Sequence, residues 1–322
     1  MILFYTTGSK KNGLGHLSRT ISLIKEVLSR NIPYHCLVNN DTTATSLLSK
    51  QEIRFSIFKS IETLKDLSPS LIVFDTKQDV AELIKEAKKN KIKTIIIDSL
   101  DNNRLNADLV IYPNPHFNFN ELDWAKAKGA RCGGSEYTII KPSFIKERIK
   151  DNLKLNRHRI VISMGGSDPN KLTELVMDAI AKTNYEDIDV VAGPAFNGLN
   201  DIKKLAKKYP KFTVHDNVSD LSTLFSEAGC VITGLGISIY EAAILKVPVI
   251  VISNYESDQN DEEALDNFNG IFPLGFYKQV EPDDITDSLH AIFDSIQSHQ
   301  ELADDVGQIV DTKGVSRIVD LF

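Results

Sequence analysis

Cysteine is scarce in this chain: Cys36, Cys132 and Cys230 are the only three among 322 residues. An odd number at such wide spacing excludes a disulfide framework, and without a CxxC pair or a Cys/His cluster there is no metal-binding pattern. Reduced thiols in a cytoplasmic protein are the expectation. Positive charge is not in excess either. The formal net charge is −7 and no dense Lys/Arg block overrides it, which argues against a nucleic-acid partner. The lysine-rich "KEAKKNKIK" reads as a solvated helix face running into a strand. Long hydrophobic runs are missing as well: the longest are strand length, well short of the roughly 20 residues that cross a bilayer. The first residues already read as a strand, so no signal peptide is expected. These absences predict a soluble, cytoplasmic protein, and the charge balance permits a monomer.

What is present is an alternation of apolar β-rich runs with longer amphipathic stretches, at an ordinary 42% hydrophobic and 25% charged residues. In the first half, strands are expected at "MILFYTT", "PYHCLVN", "RFSIF", "SLIVFDT", "KTIIIDS" and "ADLVIYPN". Helix-period segments such as "HLSRTISLIKEVLSR" and "DVAELIKEAKKN" separate most of them. The second half repeats the pattern with "HRIVISMGG", "DIDVVAG", "KFTVHD", "GCVITG" and "VPVIVIS". Near-continuous Ile/Val/Leu strands separated by helices indicate parallel sheets covered on both faces. A chain of this length predicts two domains of about 150 residues each. The charged stretch "KPSFIKERIKDNLKLNRHR" is the expected linker, giving domains 1–154 and 155–322. The fold class is α/β, two doubly wound Rossmann-like domains whose loops beyond the strand carboxyl ends would face a central cleft.

Four stretches could carry chemistry. In "NGLGHLSR", after the first strand, Gly13 and Gly15 let the backbone approach a ligand, and the helix starting there offers free N–H groups to anionic oxygen. His16 in its first turn can exchange protons near neutral pH, or be a packing histidine. In "ISMGGSDPNKLT", Gly165 and Gly166 follow a buried strand, and Ser167 or Asp168 could cap the next helix with Pro169 in its first turn. A phosphate site and a well-capped turn read alike there. In "ITGLGISIYEAAILKVPVIVI", Gly234 and Gly236 precede a helix with Ile237 and Ser238 in its first turn. That start suits a diphosphate, and Glu241 further along could read ribose hydroxyls or sit exposed on the helix. In "YESDQND", Asp258 and Gln259 could bond sugar hydroxyls or belong to a solvated loop. A dinucleotide-binding fingerprint is not met, because Gly8, Gly13 and Gly15 have the wrong spacing.

Taken in order, these segments resemble the nucleotide-sugar glycosyltransferases of two-Rossmann (GT-B) architecture. More closely, the chain is similar to the UDP-sugar hydrolase of pseudaminic acid biosynthesis and its spore-coat polysaccharide relatives. The resemblance covers nearly the whole chain. It rests on "GLGHLSR", "LIVFD", "IIIDSLDNNRLNADLVIYPN", "RCGGSEYTIIKPSF", "ISMGGSDP", "ITGLGISIYEAAILKVPVIVI" and the following "DQN". It implies His16 as catalytic base and Gly13, Gly15, Arg19, Asp75, Tyr137, Gly165, Gly166, Ser167, Gly236, Ile237, Ser238, Glu241 and Gln259 as substrate-binding residues. It departs from the family at "YTTGS", where Arg-x-Asp is usual, at "DTKQ", which keeps Asp75 but loses a tyrosine, and at Asp258, where asparagine is expected.

The activity implied is hydrolysis of a UDP-linked amino sugar in surface polysaccharide biosynthesis, without metal or cofactor. His16 takes a proton from water, and helix starts at Gly166 and Ser238 steady the leaving diphosphate. The alternative is a glycosyltransferase in which His16 deprotonates an acceptor hydroxyl. A third reading is a nucleotide-sugar-binding subunit without catalysis, against which the histidine counts.

Overall fold

The computed structural model describes the chain except for residues 10–12, 151–157, 194, 195, 217 and 219. Its contacts divide the chain into two compact units, Met1–Ile139 with Lys313–Phe322, and Ile140–Thr312. The boundary expected at 154/155 falls outside the described residues. The division comes earlier, and the last ten residues return to the first unit.

Among the described residues, the first unit holds a seven-stranded sheet in the order β3-β2-β1-β4-β5-β6-β7. The strands are β1 (Ile2–Thr6), β2 (Tyr34–Val38), β3 (Phe55–Ile57), β4 (Leu71–Asp75), β5 (Lys93–Ile97), β6 (Leu109–Tyr112) and β7 (Ala130–Gly133). All pairings are parallel. The crossovers carry α1 (Gly15–Ser29), α2 (Thr42–Lys50), α3 (Glu62–Leu67) and α4 (Ala81–Lys89). Successive strand residues point to opposite faces, so a strand apolar at every position must be covered twice. Phe4, Val73, Ile95 and Ile111 enter one core with the buried face of α1. Their neighbours Leu3, Tyr5, Ile72, Phe74, Ile96 and Val110 enter a second core with Leu83 and Ile84 of α4. The lysine-rich end of α4 is solvated as expected, with Lys85 and Lys89 paired to Glu82 and Glu86 one turn back.

The second unit opens with α5 (Pro142–Ile149) and holds a six-stranded parallel sheet in the order β10-β9-β8-β11-β12-β13. Its strands are β8 (Ile160–Ser163), β9 (Ile188–Ala192), β10 (Phe212–Asp216), β11 (Cys230–Gly234), β12 (Val249–Ser253) and β13 (Ile271–Phe276). Around them lie α6 (Leu172–Ile180), α7 (Leu199–Lys208), α8 (Ser222–Ser226), α9 (Ile237–Ala243), α10 (Gln259–Leu265), α11 (Pro282–Phe293) and α12 (Ile296–Val306). The same alternation splits its strands: Ile160, Ile162, Val190, Ile232 and Ile250 face one core, and Val161, Val191, Val231, Val249 and Val251 the other. Helix α13 (Gly314–Asp320) then rejoins the first unit, because Val315, Ile318 and Val319 complete the core beside α1.

In each sheet the strand order reverses beside the first strand, between β1 and β4 and between β8 and β11. Open α/β sheets bind ligands at the carboxyl ends of the strands flanking such a reversal, where helices diverge to opposite faces. That geometry singles out the loops after β1 and β4 in one unit and after β8 and β11 in the other. Among the described residues no helix is long and apolar enough to cross a membrane.

Candidate functional site

In the first unit, the loop after β1 folds back through an antiparallel bridge between Ser9 and Gly13, and Gly13 takes a φ of +82° that only glycine adopts without strain. Asn39 holds the loop's start, its side-chain amide giving and receiving hydrogen bonds with the backbone of Gly8. Leu14 then occupies the N-cap of α1 without a side-chain cap, so the first-turn N–H groups of Gly15, His16 and Leu17 are not taken by a capping side chain. A Cβ at Gly13 or Gly15 would meet nothing within 4 Å, so this backbone borders open space.

His16 and Arg19, one helical turn apart, both turn to Asp75, the last residue of β4. His16 Nδ1 lies 2.7 Å from Asp75 Oδ1. Arg19 grips both carboxylate oxygens, Nη2 to Oδ1 at 2.6 Å and Nε to Oδ2 at 2.9 Å. Arg19 Nη2 also comes within 3.1 Å of His16 Nδ1. Both cannot be hydrogen bonds at Nδ1: a proton there serves the carboxylate, and its absence serves the guanidinium. The shorter contact to a charged acceptor decides it. A proton on Nδ1 would donate to Asp75, and Nε2 is the ring nitrogen not engaged by the carboxylate.

Asp75 is 1% exposed. Burial pushes its carboxyl up, but the Arg19 charge and hydrogen bonds, with those of His16, outweigh this and hold it below the usual range. Arg19 continues to Asp98, Nη1 to Oδ2 at 2.9 Å, and Asn114 donates to the other Asp98 oxygen at 3.2 Å. Burial would lower the guanidinium's pKa, yet the two flanking aspartates raise it beyond its ordinary value. Asp98, directly after β5, holds a left-handed φ of +60°, an uncommon conformation for a non-glycine residue and frequent at functional sites.

Arg19, 14% exposed, and buried Asp75 are thus paired with one another beside His16. Tyr137 does not join this group. It lies in a 3₁₀ turn after β7, bonds the Cys132 thiol, and packs against the first-unit core beside α13. The two segments that depart from the family pattern meet each other: Thr7 and Thr76 pair through their hydroxyls at 2.8 Å, and the Tyr5 hydroxyl donates to Gln78. Sequence reasoning missed Asp98 and Asn114. The signal available was an acidic residue ending a strand in "IIIDS", as Asp75 does in "LIVFD".

In the second unit, the loop after β8 exposes Gly165 and Gly166, where a Cβ would meet nothing within 4 Å. Gly193, after β9, passes so close that a Cβ there would stand 2.5 Å from the Gly165 carbonyl oxygen, so only glycine fits. The expected helix start at Gly166 is not found. Helix α6 begins at Leu172, and buried Asp168, not Ser167, caps it by accepting from the N–H groups of Leu172 and Thr173. These donors are therefore occupied, and Gly165, Gly166 and Ser167 form a turn rather than a free helix N-terminus. After β11, Gly236 is the N-cap of α9 with no side-chain cap, and Ile237 and Ser238 lie in the first turn as expected. Asn170 bonds Asn254, joining the loop after β8 to the loop after β12.

Glu241 is not an exposed helix residue. It is 1% exposed, and its Oε1 lies 2.9 Å from the ammonium of Lys141. Gln259 is exposed, and its amide donates to Glu263 one turn on. Asp258 accepts from the Ser253 hydroxyl at the end of β12. Buried Glu262 accepts the backbone N–H groups of Ser253 and Gly275, beside the register shift between β12 and β13. All three cysteines are free, and burial pushes each thiol up, Cys36 to about 12, so none is an activated nucleophile. Among the described residues, no group of three or more His, Cys, Asp or Glu could hold a metal ion.

No family model matches the chain. An uncharacterized protein of Methanocaldococcus jannaschii is 26% identical over 276 residues, 79% of this chain and 56% of that protein, so the chain spans little more than half of that relative. The spore coat polysaccharide biosynthesis protein SpsG of Bacillus subtilis is 22% identical over 328 positions, covering 98% of this chain and 95% of that protein. Among solved structures, Acinetobacter baumannii MurG covers 99% of this chain and 98% of its own, at a TM-score of 0.72 and 15% identity. Anabaena Alr3699/HepE in complex with UDP covers 100% and 99%, at 0.69 and 14%. The UDP-GlcNAc 2-epimerase of Neisseria meningitidis, bound to UDP-GlcNAc, covers 99% of each chain, at 0.67 and 12%. Two parallel-sheet α/β units with these neighbours over their full length give the chain the GT-B fold.

Proposed function

We propose that the protein transfers a glycosyl group from a UDP-sugar to a hydroxyl nucleophile, with His16 as the general base. The observation that carries this is the His16–Asp75 pair. A carboxylate locked by Arg19 fixes the ring through Nδ1 and leaves Nε2 to accept a proton, at the strand reversal where such sheets bind ligands. As the nucleophile's oxygen bonds to the anomeric carbon, its proton passes to His16 Nε2, and the bond from that carbon to the diphosphate oxygen breaks with its electron pair leaving on UDP. The backbone at Gly13 and Gly15 shapes the sugar side. Gly165, Gly166 and Ser167 with the uncapped start of α9 at Gly236, Ile237 and Ser238 receive the diphosphate, Glu241 the ribose and Gln259 the sugar. Arg19, Asp75 and Asp98 position the base.

The UDP assignment is supported by the neighbour solved with UDP and the one solved with UDP-GlcNAc. Polysaccharide synthesis as the setting is supported by likeness to the spore coat protein over almost the entire chain. A second reading, in which water is the nucleophile and the protein is a hydrolase, is supported by the resemblance of its "RCGGSEY" segment to the UDP-sugar hydrolases of pseudaminic acid biosynthesis.

Incubation of the purified chain with a panel of UDP-sugars, with and without hydroxyl acceptors, tests both. UDP release that requires an acceptor is the expected result. Stoichiometric UDP and free sugar without acceptor would replace transfer by hydrolysis. An epimerised UDP-sugar, or no turnover of any, would overturn both readings.

A further inference from the structure

Glu241 presents a physical problem that its proposed contact with ribose does not solve. It lies on α9 among Ile239, Tyr240, Ala242 and Ala243, all fully buried, and is itself 1% exposed. A carboxylate in such surroundings is costly unless a cation or donor meets it. Only Lys141 does so among the described residues, with Nζ 2.9 Å from Oε1, off the axis of a well-formed hydrogen bond.

Lys141 is held in place from three sides. Its backbone is the N-cap of α5, where its carbonyl accepts the N–H groups of Phe144 and Ile145. Pro142 follows at the first helical position and fixes the direction of the chain. Its ammonium stands 5.9 Å from the centre of the Phe144 ring, which is fully buried and packed edge-on against Phe225. The lysine side chain nonetheless keeps 38% of its exposure. It therefore bridges solvent and a carboxylate that has no other counter-charge among the described residues.

We infer that Lys141 is a positioning residue for nucleotide recognition: its ammonium holds the Glu241 carboxylate oriented for the ribose hydroxyls. The inference rests on the UDP-sugar reading of the site. Lys141 acts through Glu241 and does not itself touch the nucleotide. A carboxylate already fixed in place accepts hydrogen bonds from a diol without first ordering its side chain. Deprived of the lysine, the same buried group swings away, and the ribose loses its acceptor.

The test compares UDP, 2′-deoxy-UDP and uridine as ligands of the full chain by titration calorimetry. Wild-type protein should prefer UDP over 2′-deoxy-UDP by about 10- to 100-fold, the range for a hydrogen bond to a charged group. In K141M, and in K141Q should the first fold poorly, that preference should fall to about twofold or less, and K141R should restore most of it. Uridine affinity should fall by the same factor as UDP affinity, and K141M should add no further loss in an E241Q background. Loss of UDP binding with uridine unaffected would place Lys141 on the diphosphate and overturn the inference. A preserved UDP preference in K141M would reduce the pair to a structural strut and overturn it equally. Failure of wild-type protein to bind UDP would instead refute the functional reading on which this rests.

Discussion

Among the described residues, two histidine–aspartate pairs have nearly equal length, and only one lies at the reversal of its sheet. His16 and Asp75 are 2.7 Å apart, and His215 and Asp189 are 2.6 Å apart. Each has an arginine beside the aspartate and a second carboxylate beyond it: Arg19 and Asp98 in the first unit, Arg159 and Glu227 in the second. The difference is position. Asp75 ends β4 at the reversal of its sheet, and His16 comes from an uncapped helix start whose glycines border open space. His215 lies on β10, the outermost strand, and Asp189 is the second residue of β9, near its amino end. The arginines differ too. Arg19 is 14% exposed and grips both oxygens of Asp75, whereas Arg159 is 38% exposed and stands 3.5 Å from Asp189. Residue types alone do not tell the two pairs apart; the sheet's reversal and a second fixed partner do.

The largest effect that would break this comparison is kinetic. His16→Asn should lower the turnover of a UDP-sugar by about 100- to 10,000-fold, the usual contribution of a general base, with UDP affinity unchanged. His215→Asn should leave turnover within about twofold, since strand β10 lies outside the reversal. Steady-state rates and calorimetric affinities for both variants decide it. A His16 variant that keeps most of its rate, or a His215 variant that loses it, would reverse the assignment.

The next effect is on stability. Arg19→Met leaves Asp75 buried with only His16 and the Thr20 hydroxyl beside it among the described residues, and breaking a buried ion pair from one side costs about 3–5 kcal/mol. Arg159→Met removes a half-exposed partner and should cost about 1 kcal/mol or less. Urea denaturation followed by circular dichroism would measure both. Equal losses would mean that the exposed network is as tightly coupled as the buried one.

Much of this architecture is legible in the sequence, and the misses have physical causes. The strands expected from apolar runs are all found, and the two that were missed, β7 and β13, are both edge strands. β7 reads "ARCG" and is largely solvated, while β13 contains Pro273 and Gly275 at a register shift. Neither needs the continuous apolar pattern that marks a strand buried on both faces. The glycine loops and His16 were visible because loop and helix-start chemistry is local. The work of Arg19 was not, because its partners lie 56 and 79 residues away. The start of α6 was misplaced at Gly166 because either Ser167 or Asp168 could cap, and only the fold shows Asp168 turned back onto Leu172 and Thr173. Lys141 was passed over inside a charged stretch that reads as linker, since its meaning depends on Glu241, 100 residues on.

The smallest effect sharpens the comparison by setting Asp75 against a buried carboxylate that meets no cation among the described residues. Glu262 is 5% exposed, and its Oε1 has no hydrogen-bond partner. Burial, aided by the charge of Asp258, pushes its carboxyl up to about 7, against the hydrogen bonds from Gly275 and Ser253. Asp75, also buried but gripped by Arg19, moves the other way. The consequences for stability have opposite signs. A carboxyl raised in the folded state binds more protons there than in the unfolded chain. Its contribution is complete below about 4.5 and is lost as pH rises through about 7. The depressed Asp75 contributes at neutral pH and loses that contribution only in acid, below about 3.8. Glu262→Gln should therefore raise the unfolding temperature at pH 8 by about 2–4 °C, the shift expected for 1 kcal/mol in a domain of this size. It should change little at pH 4.5, where the native glutamate is already neutral. Calorimetric scans at the two pH values measure the difference. A variant no more stable than wild type at pH 8 would mean that the backbone donors of Gly275 and Ser253 hold Glu262 charged as well as Arg19 holds Asp75.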